Sequence, residues 1–141
     1  VPVPIYSSRA ACGLGYMNDH VEIEGRFALP KTVLDRNGVL EANAAILHAE
    51  GDSMSTYICN GDLVMIDRGV RTIANGQVYA FMMEDEVVIK RVSKGFGLIT
   101  LTSDNPNKAL FPDRTVPPGA DVTVLGKVVW RGANAPFFPG P

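Results

Sequence analysis

Short apolar runs, each bounded by turn residues, recur from Ala44 to Trp130, and this rhythm commits the chain to β structure. Ala44 to Ala49 leads into Gly51. Leu63 to Asp67 lies between Gly61-Asp62 and Arg68-Gly69, consistent with a buried strand. Gln77 to Met83 and Glu86 to Val92 flank a tight acidic turn at Glu84-Asp85, and Leu98 to Thr102 and Val122 to Trp130 close the set. One short helix is expected from Pro30 to Asn37, with proline at its start and Gly38 as its stop. The pattern predicts a mainly-β fold: a compact, partly open β-barrel or sandwich of short strands with one short helix. At 141 residues, 46% of them hydrophobic, the chain fills one domain with a real core.

The stretch from Val1 to Glu24 has another texture. Two X-Pro pairs precede Ser7-Ser8-Arg9-Ala10-Ala11-Cys12-Gly13-Leu14-Gly15, and small residues with glycine pack no core of their own. Residues 1–24 are expected to form an extended arm and residues 25–141 the folded core. Charge narrows the partners: 13 Lys+Arg against 15 Asp+Glu leave -2, where a nucleic-acid reader carries a basic surplus. No apolar run reaches the roughly 18 residues of a membrane span. Val1 to Ala11 lacks the basic flank and apolar stretch of a signal peptide. The chain begins without Met and reads as a piece of something longer. Cys12 and Cys59 make no disulfide framework and read as free thiols of a reducing cytoplasm. His20 and His48 lie far apart, and neither pairs with a cysteine at zinc-ligand spacing; no metal or cofactor is expected.

Chemistry enters with Gly51-Asp52-Ser53-Met54, at the end of the first of these strands. A serine in a glycine-led turn can present its hydroxyl while neighbouring N–H groups face the same point, which suits a nucleophile beside an oxyanion hole. Gly-Asp-Ser is also an ordinary turn sequence, so a base has to be found. Neither histidine has a triad context. A lysine serves if burial keeps its amine neutral. In Val87-Val88-Ile89-Lys90-Arg91-Val92, alternation puts Lys90 between Val88 and Val92 on one face, and the strand is apolar on both sides. Lys31, Lys94, Lys108 and Lys127 fall in or near turns or strand ends and read as solvated. The competing reading of Lys90 is a lysine snorkelling at a sheet edge.

Together, Gly51-Asp52-Ser53-Met54, Gly61-Asp62-Leu63-Val64-Met65-Ile66-Asp67 and Val88-Ile89-Lys90-Arg91-Val92 resemble the LexA/UmuD-type self-cleaving peptidase family. The separation of Ser53 from Lys90 is that family's spacing between nucleophile and base. Ser103-Asp104-Asn105-Pro106 and the closing Gly126-Lys127-Val128-Val129-Trp130 are most similar to its phage CI-type repressors. The resemblance runs from Ala10 to Trp130. It implies the LexA-like peptidase fold, with Ser53 as nucleophile and Lys90 as base; the N–H groups of Asp52 and Ser53 are the expected oxyanion donors. Family members cut their own chain after Ala or Cys followed by Gly, so the implied scissile bond is Cys12–Gly13, on an extended cleavage arm.

The function this implies is the C-terminal self-cleaving and dimerisation domain of a LexA/CI-like transcriptional repressor, cytoplasmic and inactivated by its own cut in an SOS-type response. Implied partners are a second copy of the chain and the RecA–single-stranded DNA filament as co-inducer. DNA would be met only through a helix-turn-helix domain not found in this sequence. An exposed sheet edge and the apolar stretches Val122 to Leu125 and Val128 to Trp130 suggest a two-fold interface. Three alternatives stay open. They are a UmuD-like polymerase accessory protein, a dimerisation or effector-sensing module that no longer cuts, and a signal-peptidase-like enzyme acting on other chains. The lack of a membrane segment argues against the last. The ending from Ala133 to Pro141 matches no motif.

Overall fold

Two hairpins fix the register of three adjacent strands. Strand β5 (Val78–Met83) turns into β6 (Glu86–Gly95) through Glu84 and Asp85, with φ of 52° and 62°. Strand β6 turns into β7 (Leu98–Thr102) through Phe96 and Gly97, with φ of 51° and 74°. Consecutive left-handed residues give a turn whose twist matches that of the flanking strands. Met83 therefore sits opposite Glu86, and Gly95 opposite Leu98. The computed structural model describes residues 1–14, 23–117 and 119–133. Within them, β1 (Pro2–Tyr6), β2 (Gly25–Ala28), β3 (Ala44–His48), β4 (Leu63–Asp67), β8 (Arg114–Val116) and β9 (Val122–Gly132) complete one open sheet. Its order is β2-β1-β3-β4-β9-β5-β6-β7-β8. Among these pairings only β1 against β3 is parallel. Helix α1 (Ser8–Leu14) follows β1, and α2 (Lys31–Arg36) follows β2.

The sequence of β3, β4 and β5 is almost continuously apolar because both faces of these strands are covered. On one face Ala45, Leu47, Val64, Ile66, Ala80 and Met82 pack with Ala11 of α1 and with Met54 and Ile58 of the β3–β4 loop. Elsewhere Ile46 and Met65 lie under Leu29 and Leu34, while Tyr79, Phe81 and Val92 form a separate cluster. Strand β9 joins the two halves: Val122 to Lys127 pair with β5, and Lys127 to Gly132 pair with β4. The register shifts once along each partner. Gly126 lies between, where a Cβ would meet the Asp67 carbonyl oxygen at 2.6 Å. A side chain has no room there.

The expected mainly-β architecture is present as a single open sheet of nine strands. Leu63 to Asp67 and Leu98 to Thr102 fall where the pattern put them. The arm is a correction: in place of extended backbone throughout, it supplies a sheet strand and then a helix across Ser8–Leu14. Ser7 starts that helix, its Oγ accepting from the Ala10 N–H at 3.1 Å and its carbonyl from the Ala11 N–H at 2.8 Å. Ala11, fully buried, holds the helix to the core. Residues 15–22 of the connection to β2, including His20, and the tail from residue 134 onward lie outside the described residues.

Candidate functional site

The β3–β4 loop that carries Ser53 is tied down at its base and near its tip. Ala49 N–H donates to Asp62 O and Gly61 N–H to Ala49 O, each at 2.8 Å. Asn60 Oδ1 accepts from the Gly51 N–H at 2.8 Å, and Gly51 itself has a φ of 80°. Two side chains then anchor the loop in the core, Met54 and Ile58, so Ser53 stands half-buried between exposed Asp52 and buried Met54. Neither the Asp52 nor the Ser53 N–H donates to another described residue. Ser53 opens on a small cleft whose walls include Ile58, Val87, Ile89 and His48. His48 Nε2 lies 3.5 Å from Glu24 Oε1.

On β6 the alternation read from the sequence holds. Val88 and Val92 belong to the cluster around Phe81, whereas Val87 and Ile89 face the Ser53 cleft. Lys90 is half-buried, and its Nζ donates to Ser103 Oγ at 2.7 Å. Burial pushes the Lys90 pKa below the ordinary lysine value, and the Lys108 ammonium pushes it the same way. Among the described residues no hydrogen bond joins Lys90 to Ser53.

What links the two residues is the turn that leaves β7, Ser103-Asp104-Asn105. Ser103, buried, receives Lys90; the Asn105 N–H donates to Ser53 O at 2.9 Å, and Asn105 Nδ2 donates to Asp52 O at 2.8 Å. Between them Asp104 is gripped by Arg91, Nε to Oδ1 at 2.9 Å and Nη2 to Oδ2 at 2.7 Å. The same guanidinium donates to Gly76 O and lies 5.2 Å from the centre of the Tyr57 ring. One turn therefore holds the strand of the lysine and the loop of the serine in a common frame. The sequence reading assigned no role to Ser103, Asn105, Arg91 or Tyr57. The polar run Ser103-Asp104-Asn105-Pro106 at a strand end was the signal available.

The Cys12–Gly13 bond lies in α1, whose Ala10, Ala11 and Cys12 pack on the cluster that contains Met54, Ile58, Val87 and Ile89. Cys12 Sγ donates to Asp85 O at 3.2 Å. Burial, then the nearby Asp85 and Glu86 carboxylates, raise the pKa of its thiol. The segment is thus docked beside the serine loop, but with helical backbone. Among the described residues no group of His, Cys, Asp or Glu is arranged to hold a metal ion, and no helix is long and apolar enough to cross a membrane. A half-buried hydroxyl, two amides free of described partners and an amine with a lowered pKa make a set suited to acyl transfer.

Comparison with known proteins places these features in context. Residues 4–129 match the family described as Peptidase S24-like. Over 108 residues, 76% of the chain, the sequence is 35% identical to the LexA repressor of Mycobacterium leprae and 34% identical to that of Frankia alni. It is 32% identical over the same length to the LexA repressor of Desulfitobacterium hafniense. The matched segments cover 41%, 38% and 47% of those relatives, so the chain corresponds to less than half of each.

Proposed function

Because the chain belongs to the Peptidase S24-like family, we propose that it is the self-cleaving and dimerisation part of a LexA/CI-like repressor, with Ser53 as nucleophile and Lys90 as base. Ser53 Oγ attacks the Cys12 carbonyl carbon while its proton passes to Lys90 Nζ. The C–N bond breaks, the Gly13 amine leaves with that proton, and water hydrolyses the Cys12 ester to regenerate the serine. The Asp52 and Ser53 N–H groups stabilise the oxyanion. The Cys12–Gly13 bond has to leave its helical form first, since an attacked carbonyl must be reachable from the Ser53 side. Residues 1–24 act as the substrate segment and 25–141 as the peptidase core, which pairs with a second copy. In the cytoplasm, the cut would part that core from a DNA-binding half and lower the avidity of a dimer for its operator. The RecA–single-stranded DNA filament would promote it by favouring the cleavable conformer.

The observation that carries this reading is the shared frame. The Ser53 loop and the Lys90 strand are fastened to one turn, and the lysine sits where its amine is more easily neutral. A second reading, a dimerisation module that does not cut, draws on the helical scissile bond and on the Lys90 bond to Ser103. One experiment separates them. Incubated alone at alkaline pH, the chain should yield a species beginning at Gly13 by mass spectrometry, and Ser53→Ala and Lys90→Met should each abolish it. A chain that stays intact favours the second reading. Cleavage at another bond, or in Ser53→Ala, rejects the first.

A further inference from the structure

We infer that Ser103 is a positioning residue for the base: its hydroxyl holds the Lys90 amine so that the lone pair is aimed at Ser53. The inference rests on the proposed roles of Ser53 and Lys90. A neutral lysine amine has two N–H bonds and one lone pair, and rotation about a long flexible stem leaves the lone pair undirected. An acceptor that takes one N–H removes that freedom. Ser103 Oγ is that acceptor at 2.7 Å, and the residue is 4% exposed, so water does not compete for the place.

The acceptor is itself fixed. Its carbonyl takes a hydrogen bond from Lys108 Nζ at 2.6 Å, and Lys108 also pairs with Asp113 at 3.1 Å. The preceding residue, Thr102, is registered opposite Arg91 in the β6–β7 ladder, and the next, Asp104, is clamped by the Arg91 guanidinium. Two residues on, Asn105 holds the Ser53 carbonyl. The hydroxyl that orients Lys90 and the serine to be activated are therefore placed by the same short segment. The arrangement does for a lysine what a buried carboxylate does for the histidine of a triad: it sets direction without taking the proton.

The charged groups around Lys90 allow the role to be isolated. Lys108 and its partner Asp113 come from the β7–β8 connection, Glu84 from the β5–β6 turn, Glu86 from the start of β6 and Arg114 from β8. Among the described residues Lys90 Nζ donates to none of these, and its acceptor is Ser103 Oγ. A hydroxyl accepting from an ammonium favours the charged amine, whereas the Lys108 charge disfavours it. Removing the two should therefore move the ionisation of Lys90 in opposite directions.

The test measures self-cleavage rate against pH for the full chain, Ser103→Ala and Lys108→Met. It also follows the Lys90 Cε resonance by NMR titration in a Ser53→Ala background, where no cutting intervenes. Loss of the Ser103 hydroxyl should lower the Lys90 midpoint by about one pH unit, the size of one charge-assisted hydrogen bond. The alkaline plateau rate should fall roughly tenfold through lost orientation. Lys108→Met should raise the midpoint. If Ser103→Ala does not fold, Ser103→Cys, similar in shape with a much weaker acceptor, carries the same expectations. An unchanged or faster plateau overturns the inference, and so does a slower plateau with an unmoved Lys90 midpoint, which marks a packing effect. Lys90→Met keeps the two claims apart: continued cutting in that variant rejects the dyad, whereas its silence beside an unaffected Ser103→Ala rejects only the role of Ser103.

Discussion

At Lys90 the folded chain favours the neutral amine, first through burial and then through the Lys108 ammonium; the unfolded chain imposes neither. A pKa lowered by folding is a cost to the fold wherever the amine is charged in both states. That cost is fully present below the folded pKa, shrinks as pH rises through the interval between the folded and unfolded values, and vanishes above the unfolded one. Lys90→Met removes it but leaves the buried Ser103 hydroxyl without the Lys90 hydrogen bond, a loss that depends far less on pH. The slope is therefore the diagnostic. In urea melts on a Ser53→Ala background, the stability of Lys90→Met relative to Lys90 should be most favourable at neutral pH and should decline toward alkaline pH. A difference that stays flat contradicts a depressed lysine. The flanking valines made Lys90 legible in the sequence, and the glycine-led turn did the same for Ser53. Ser103 shows in the sequence only as part of a polar run at a strand end, because its link to Lys90 is made by strand pairing.

Local turn chemistry explains which elements could be read in advance. The β5–β6 hairpin and strands β4 and β7 announce themselves through apolar runs and turn residues. Strand β1 does not, since Pro2 and Pro4 argue against a sheet. It is tolerated because pairing with β3 begins only at Ile5, past the prolines. Strand β8, three residues long, is too short to show a period. Helix α1 was obscured by weighing its glycine and small residues as loop-formers, when Ser7 caps it and Ala10 and Ala11 favour it. This cap offers a handle on the proposed cut. Ser7→Ala should weaken the helix by about 1 kcal/mol and so enlarge the unwound population about fivefold. Self-cleavage should accelerate by up to that factor in a time course at fixed pH. An unchanged rate would mean that unwinding of α1 does not limit the reaction.

At the scale of the whole molecule, the insertion of β9 between β4 and β5 decides the topology. No local signal foretells it, because its partners lie far back along the chain. The same sheet order bears on what a cut would accomplish. Strand β1 lies inside the sheet, hydrogen-bonded to β2 on one side and β3 on the other, with Val3 and Tyr6 buried. A break at Cys12–Gly13 leaves it there. The product is then a nicked protein in which a short peptide complements the larger fragment, and its departure is a dissociation with its own barrier. Cleaved chain should co-elute as one species by size exclusion in native buffer and resolve into two in denaturant. Excess unlabelled peptide spanning residues 1–12 should replace a labelled bound one at a rate set by its dissociation and independent of the amount added. Hydrolysis would thus mark the molecule, and withdrawal of a strand would set the time at which its halves part.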